Sequence, residues 1–307
     1  MNPHILLLFA TDRGVRSLEK VVQLVPDADL TVCCFKEEPW EPPFQDRMRS
    51  ITVSVGGRFI PTRDASEAFA TVDEHYDLLL AVNWRSMVSD DVRDRLNDRA
   101  FVFHDSLLPR YRGFSPTVWS MINGDTETGA TLFQMVGPVD GGPIIDQLSV
   151  TIPVGAYISE VLEHVTEAYL ELIERNLTSL LRGSEVQRIQ SEDKASYTCK
   201  RLPSDNKLDW RYGAKRIVDL VHAVAKPYTG AYCILGERKI IIWRASLPKD
   251  PPKVVGSIAG RPIPVSAEGG VFVMAGDGPV LIEEVQVDGE PSRPAIEVLR
   301  GRSFQML

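Results

Sequence analysis

HILLLFATDRGVRSLEKVVQLV, running from His4 to Val25, changes its hydrophobic period partway along. His4 to Phe9 is a continuous apolar run, the pattern of a strand buried on both faces. Thr11-Asp12-Arg13-Gly14 turns the chain, after which Val15, Leu18, Val21, Val22 and Val25 fall on one side of a helix. A buried strand leading directly into an amphipathic helix is the first βα unit of a parallel sheet. The turn lacks GxGxxG, so the dinucleotide fingerprint is absent and NAD is disfavoured.

Outward from this unit the alternation continues. Leu30 to Phe35, Leu78 to Val82 and Ala100 to His104 read as strands, with a helix over Val88 to Leu96. Strand alternating with helix predicts a doubly wound α/β domain. Lys36 to Arg63, rich in proline and charge, is a long excursion expected to contribute to a ligand pocket. Ala130 to Met135 and Ile144 to Ile152 read as strands, and Ser159 to Leu181 as a helix stopped at Gly183. Tyr197 to Asp209 is a polar connection. Beyond it, Ile217, Leu220, Val221 and Val224 mark a helix ending before Pro227. Ala231 to Leu235, Lys239 to Trp243, Gly270 to Met274 and Val280 to Val287 then read as short strands of a separate, smaller β-barrel. The boundary is placed near Asp205, giving domains 1–204 and 205–307.

The 34 basic and 42 acidic residues leave a formal charge of -8, with no dense Lys/Arg run. Binding nucleic acid through its phosphates needs a concentrated basic surface, so DNA is excluded and tRNA disfavoured. Cys33, Cys34, Cys199 and Cys233 lack CxxC spacing and read as reduced and buried. The opening run has neither a basic flank nor a cleavage site, which makes it a first strand and not a signal peptide. No stretch approaches a membrane span, so a cytoplasmic protein is expected. No His/Cys/carboxylate cluster has metal-ligand spacing.

The chemistry concentrates in FVFHDSLLPRYRGFSPTVWSMINGDTETGATLFQMVGPVDGG, Phe101 to Gly142. An apolar strand delivers His104 at its carboxyl end, where open parallel sheets bind ligands. A lone histidine is more often structural, and His4, His75, His164 and His222 are read so. His104 differs because Asp105-Ser106, a Leu-Leu-Pro turn, Arg110, Arg112 and Gly113 follow it, the composition of a ligand-facing loop. Gly137-Pro138-Val139-Asp140-Gly141-Gly142 offers a carboxylate between two strands. An aspartate among glycines is usually a turn residue, but here the loop can bring it to His104.

This segment resembles the folate-dependent formyltransferase superfamily. The likeness rests on His104-x-Ser106-Leu107-Leu108-Pro109-Arg110-Tyr111-Arg112-Gly113, Pro116, Trp119, Asn123-Gly124, Thr128-Gly129, Thr131, Met135, Asp140 and Gly141. It extends to Lys207-Leu208-Asp209-Trp210, to Pro227 with Gly230-Ala231, and to a closing segment at Ala295 to Gly301. The resemblance implies a Rossmann-like, mostly parallel catalytic domain and an OB-like second domain. It further implies 10-formyltetrahydrofolate as co-substrate without metal, and a small amine acceptor, nucleotide-linked by preference. His104 and Asp140 are implied as catalytic. The implied folate-facing positions are Trp84, Arg85, Val102, Ser106, Leu107, Pro109, Val139 and Gly141, with Arg110 and Arg112 toward the acceptor. A homodimer is compatible with the resemblance and not required by it.

One position departs from the pattern: the family's asparagine, two residues before the histidine, is Val102 here. Attack by an amine on a formyl carbon generates an oxyanion, so the site needs a donor for it and a group to manage the amine proton. His104 can donate, and Asp140 can hold it charged or accept the proton. Losing one oxyanion donor can cost about a hundredfold in rate. Three readings stay open. Asn83, at the end of the strand before Trp84 and Arg85, supplies the missing amide; or water replaces the amine, as in the hydrolase domain of 10-formyltetrahydrofolate dehydrogenase, which is also apolar here; or the chain binds folate or sugar nucleotide without turnover.

Overall fold

The computed structural model describes residues 2–39, 41–69, 75–263, 265, 269–299 and 306. In chain order the first part holds β1 (His4–Phe9), α1 (Thr11–Leu24), β2 (Asp29–Cys33), α2 (Gln45–Ser54), β3 (Arg58–Ile60), β4 (Leu78–Val82), α3 (Asp90–Arg95) and β5 (Ala100–His104). There follow β6 (Arg112–Gly113), α4 (Pro116–Ile122), β7 (Glu127–Gln134), β8 (Ile144–Thr151), α5 (Ile158–Arg182), β9 (Tyr197–Thr198) and α6 (Ala214–Ala223). The chain closes with β10 (Ala231–Leu235), β11 (Arg238–Ser246), β12 (Val271–Met274), β13 (Pro279–Val287), β14 (Arg293–Pro294) and α7 (Ala295–Leu299).

The main sheet has the order β3-β2-β1-β4-β5-β7-β8. β1 lies in its interior, parallel to β2 and β4, with Leu7 in register with Val32 and Leu80. That position explains the unbroken apolar run: Ile5 to Phe9 are fully buried because both faces are covered. Leu6 and Leu8 pack with Leu79 and Ala81 into a cluster closed by Ala65, Ala68 and Phe69, and by Val92 and Leu96. β5 is parallel to β4 but antiparallel to β7, so the sheet changes direction next to His104. Gly183, at φ +65°, stops α5 in the left-handed conformation that glycine adopts without steric cost.

The molecule divides into two compact units, the first made of Met1–Gly113, Thr128–Val150 and Glu163–Thr198. The second comprises Phe114–Glu127, Thr151–Leu162 and Cys199–Leu307, so that α4 belongs with the later strands. Within it α6 buries Ile217, Val218 and Val221 and packs on α4 and β11. The strands β10-β11-β13-β12, with β14 beside β13, form a curled antiparallel half-barrel. The closing resemblance at Ala295 to Gly301 is α7 as far as Leu299, while residues 300–301 lie outside the described residues.

One reading of the cysteines is corrected. Cys33, Cys34 and Cys233 are buried, and burial pushes each thiol up to about 12, but Cys199 is exposed because it lies beyond β9 in an unpaired connection. Among the described residues no helix is long and apolar enough to cross a membrane, and no group of side chains is arranged to hold a metal ion.

Leu7, with no exposed surface in β1, gives the fold its simplest test. Leu7→Ala is expected to lower the urea-unfolding free energy by about 2 to 5 kcal/mol, from lost burial and the cavity left behind.

Candidate active site

β5 places His104 at its end, opposite Thr131 of β7, with Val102 two residues earlier on the same face. The imidazole Nε2–H donates to the carbonyl of Tyr111 at 2.8 Å. A carbonyl only accepts, so this bond fixes the tautomer and leaves Nδ1 as the atom available for chemistry. Nδ1 lies 3.7 Å from Asp140 Oδ2. That distance is longer than a hydrogen bond, so the two groups face each other without being bonded, which leaves room for a reacting partner. Side-chain exposures of 10% for His104 and 19% for Asp140 show that the pair is largely enclosed yet still reachable.

Asp140 is held by main-chain groups. Its backbone is left-handed, at φ +50°, and Oδ2 accepts the N–H of Gly113 at 2.7 Å. Gly113 has φ +108°, and a Cβ there would lie 2.5 Å from the carbonyl oxygen of Thr198, so only glycine lets β6 approach β9 closely enough. Gly142 is equally constrained: a Cβ would meet the Gln134 carbonyl oxygen at 1.8 Å.

Arg112, expected to hold an acceptor's anion, has a different task. It is 2% exposed, and all three guanidinium nitrogens are engaged inside the protein. Nη2 donates to Glu192 at 2.7 Å and to Gln190 Oε1 at 2.9 Å, while Nη1 reaches the Tyr197 hydroxyl at 3.1 Å. Gln190 in turn donates from Nε2 to the carbonyls of Asp140 at 2.8 Å and Gly142 at 2.7 Å. Arg112 therefore positions the Asp140 loop and is not available to a ligand.

Asn83, expected as the substitute amide, is tied into a local network. Its Nδ2 donates to Thr11 Oγ1 at 3.0 Å and its Oδ1 accepts from Arg13 at 3.3 Å, which ties the end of β4 to the start of α1. Among the described residues it meets neither His104 nor Asp140. Val102 packs with Leu108, Phe133 and Ile144 in a small apolar cluster beneath the histidine and offers no donor. Ser106 is buried, its hydroxyl closing the turn onto the Arg110 carbonyl at 2.7 Å, which removes it from ligand contact. Leu107 lies against Gly129, where a Cβ would meet its side chain at 2.5 Å, and the Pro109 carbonyl accepts the Ser196 N–H.

The remaining positions point outward or sit at the sheet edge. Val139 is 55% exposed on the loop that carries Asp140, and Gly141 closes that loop onto the Pro138 carbonyl. Arg110 is exposed, its guanidinium 5.6 Å from the Tyr111 ring. Trp84 packs at a tilt against Phe35, with ring centroids 5.7 Å apart, and Arg85 pairs with Glu41 above the same phenyl ring.

Beside the histidine a second charge is buried. Asp105 Oδ1 accepts from Arg13 Nη1 at 2.6 Å and from the Tyr169 hydroxyl. Burial raises the Asp105 carboxyl, but the Arg13 charge and the hydrogen bonds from Arg13 and Tyr169 outweigh it and hold the carboxyl below its ordinary value. A carboxyl lowered in the folded state stabilises the fold fully above the unfolded value of about 4, and that contribution is lost as pH falls through the folded value. Wild-type stability is therefore expected to drop as pH falls below about 4. Asp105→Asn should show a shallower drop in urea titrations over that range, from a lower starting stability.

Residues 17–176 match the model of the family described as formyl transferase, and residues 201–303 that of its C-terminal domain. The fold is similar to that of an N-formyltransferase from Helicobacter canadensis in complex with folinic acid and dTDP-3-aminofucose. That match is 18% identical, covers 92% of this chain and 99% of that one, and has a TM-score of 0.72. A sugar N-formyltransferase from Shewanella sp FDAARGOS_354 is 22% identical, over 75% of this chain and 92% of that one, at 0.60. HypX from Aquifex aeolicus with tetrahydrofolic acid is 17% identical, over 97% of this chain and 47% of that one, at 0.64. With matches to both domains of a family of enzymes that transfer formyl groups, the chain belongs to the formyl transferase family.

Proposed function

We propose that this protein transfers the formyl group of 10-formyltetrahydrofolate to the amine of a small acceptor, an amino sugar carried on a nucleotide. The observation that carries the reading is His104 Nδ1 facing the Asp140 carboxylate, with Nε2 already engaged by Tyr111. The folate supplies an activated formyl carbon and a nitrogen leaving group. His104 Nδ1 takes up the proton that the amine loses as its bond to the formyl carbon forms. The same atom returns the proton to the folate nitrogen as the old carbon–nitrogen bond breaks, so the imidazole ends as it began. Asp140 balances the positive charge that His104 carries in between. Trp84, Arg85 and Val139 are the folate-facing side chains of this reading, and Arg110 faces the acceptor. The acceptor class draws support from the relative that was crystallised with folinic acid and dTDP-3-aminofucose.

Val102 favours a second reading, hydrolysis, in which water takes the place of the amine and formate leaves. The two separate in one assay of tetrahydrofolate release. Transfer predicts little release from 10-formyltetrahydrofolate alone and acceleration by at least one member of a panel of nucleotide-linked amino sugars. Steady release of formate without any amine, unchanged across the panel, would replace transfer by hydrolysis. His104→Ala is expected to lower turnover by about 100- to 10,000-fold, the range for a general acid–base. A variant with full turnover would move the chemistry elsewhere.

Arg112 supplies a separate test of positioning. Arg112→Met should leave the circular dichroism spectrum unchanged and reduce kcat by as much as about a hundredfold, since small misplacements of a reacting group have effects of that size. KM should change little, because Arg112 touches no ligand; a rise in KM at constant kcat would restore it to the binding surface.

A further inference from the structure

Within the second unit an open cleft is lined by Tyr157, Ser159, Lys226, Trp243, Arg244 and Glu284, with buried Ala225 beside them. We infer that this cleft is a second ligand site, for a nucleotide, separate from the His104–Asp140 pair and independent of the chemistry proposed there.

Three observations converge. The first is a fixed aromatic platform. The register of β11 against β13 shifts between Ile242 and Arg244 and again at Ala245, which leaves Trp243 without an opposite partner. Bulges of this kind re-aim a side chain and recur beside functional sites. The Trp243 ring lies against Gly230, where a Cβ would meet it at 3.0 Å and φ is +80°. Its Nε1–H donates to Gln286 Oε1 at 2.8 Å, and Gln286 donates to the Glu290 carbonyl at 2.7 Å. A half-buried indole held on one side and at its nitrogen offers a π-face that any base can stack on.

The second observation is a pair of exposed cations on the lining. Lys226 Nζ stands 5.1 Å from the Trp243 ring centroid and Arg244 Cζ 5.9 Å from that of Tyr157. Both side chains are exposed, and neither has an ion-pair partner among the described residues. A cation–π contact at an exposed site is a weak hold, so a phosphate can draw both cations to itself.

The third is the remaining lining. Tyr157 is locked in place, its hydroxyl against the Ala245 main chain and its ring 4.3 Å from that of His222. Glu284, opposite Arg244 in the ladder, leaves an acceptor for ribose hydroxyls or base N–H groups. A ring platform, two cations for phosphate and one carboxylate for sugar or base donors match a nucleotide better than a bare anion, which the carboxylate would repel.

Calorimetric titration of the full-length protein with UMP, with inorganic phosphate as the control, tests this. The wild type should bind UMP, and Lys226→Glu/Arg244→Glu should weaken one class of site at least about tenfold, the size expected for losing charge-assisted contacts. Turnover of 10-formyltetrahydrofolate should be unchanged in that variant. Identical UMP titrations of the two proteins, including no binding by either, would overturn the proposal. So would phosphate binding as tightly as UMP, which would reduce the cleft to an anion site.

Discussion

The site is organised around one buried guanidinium. Arg112 reaches Glu192 and Tyr197 on one side and Gln190 on the other, and Gln190 holds two carbonyls of the loop that presents Asp140. Its neighbour Gly113 donates its amide to the Asp140 carboxylate itself. An aspartate on a glycine-rich loop would otherwise sample many conformations, and holding it in one is costly in conformational entropy. Here that cost is met by hydrogen bonds from fixed partners, one of them a main-chain amide that cannot rotate away.

The same logic applies to His104. Its Nε2 is committed to a carbonyl, so the ring is oriented and only Nδ1 is left open. Catalysis by positioned groups depends on removing such freedom before the substrate arrives. The valine two residues before it contributes packing in place of polarity, sitting over Leu108, Phe133 and Ile144. The polar work at this end of the strand consequently rests on fewer groups, and the placement of the remaining two becomes more demanding.

The fold was readable from the sequence where burial imposes a period. The run His4 to Phe9 is continuous because β1 is covered on both faces, and the helix over Ser159 to Leu181 appears as Ile158–Arg182, ended at the glycine expected to stop it. The placing of Asp140 near His104 rested on the family resemblance, since a strand end and a glycine-rich loop alone made it no more than possible. What stayed hidden was the role of side chains whose partners are distant. Arg112 looks in sequence like any ligand-binding arginine, since Gln190 and Glu192 lie far along the chain and carry no pattern. Asn83 resembled a free amide for the same reason, because Thr11 and Arg13 belong to another βα unit. The Gly113 amide and the Tyr111 carbonyl are main-chain groups, which leave no trace in a residue code beyond the glycine itself.

Several of the residues that grip the Asp140 loop lie outside both segments that match the family models. The matched segments are 17–176 and 201–303, and Gln190, Glu192, Tyr197 and Thr198 all fall between them. The stretch between the two matched segments is here part of the scaffold that holds the Asp140 loop. A chimera joining this first domain to a relative's second domain would keep the histidine and the aspartate at any junction after Gly142. Only a junction beyond Thr198 would also keep the contacts that clamp the Asp140 loop.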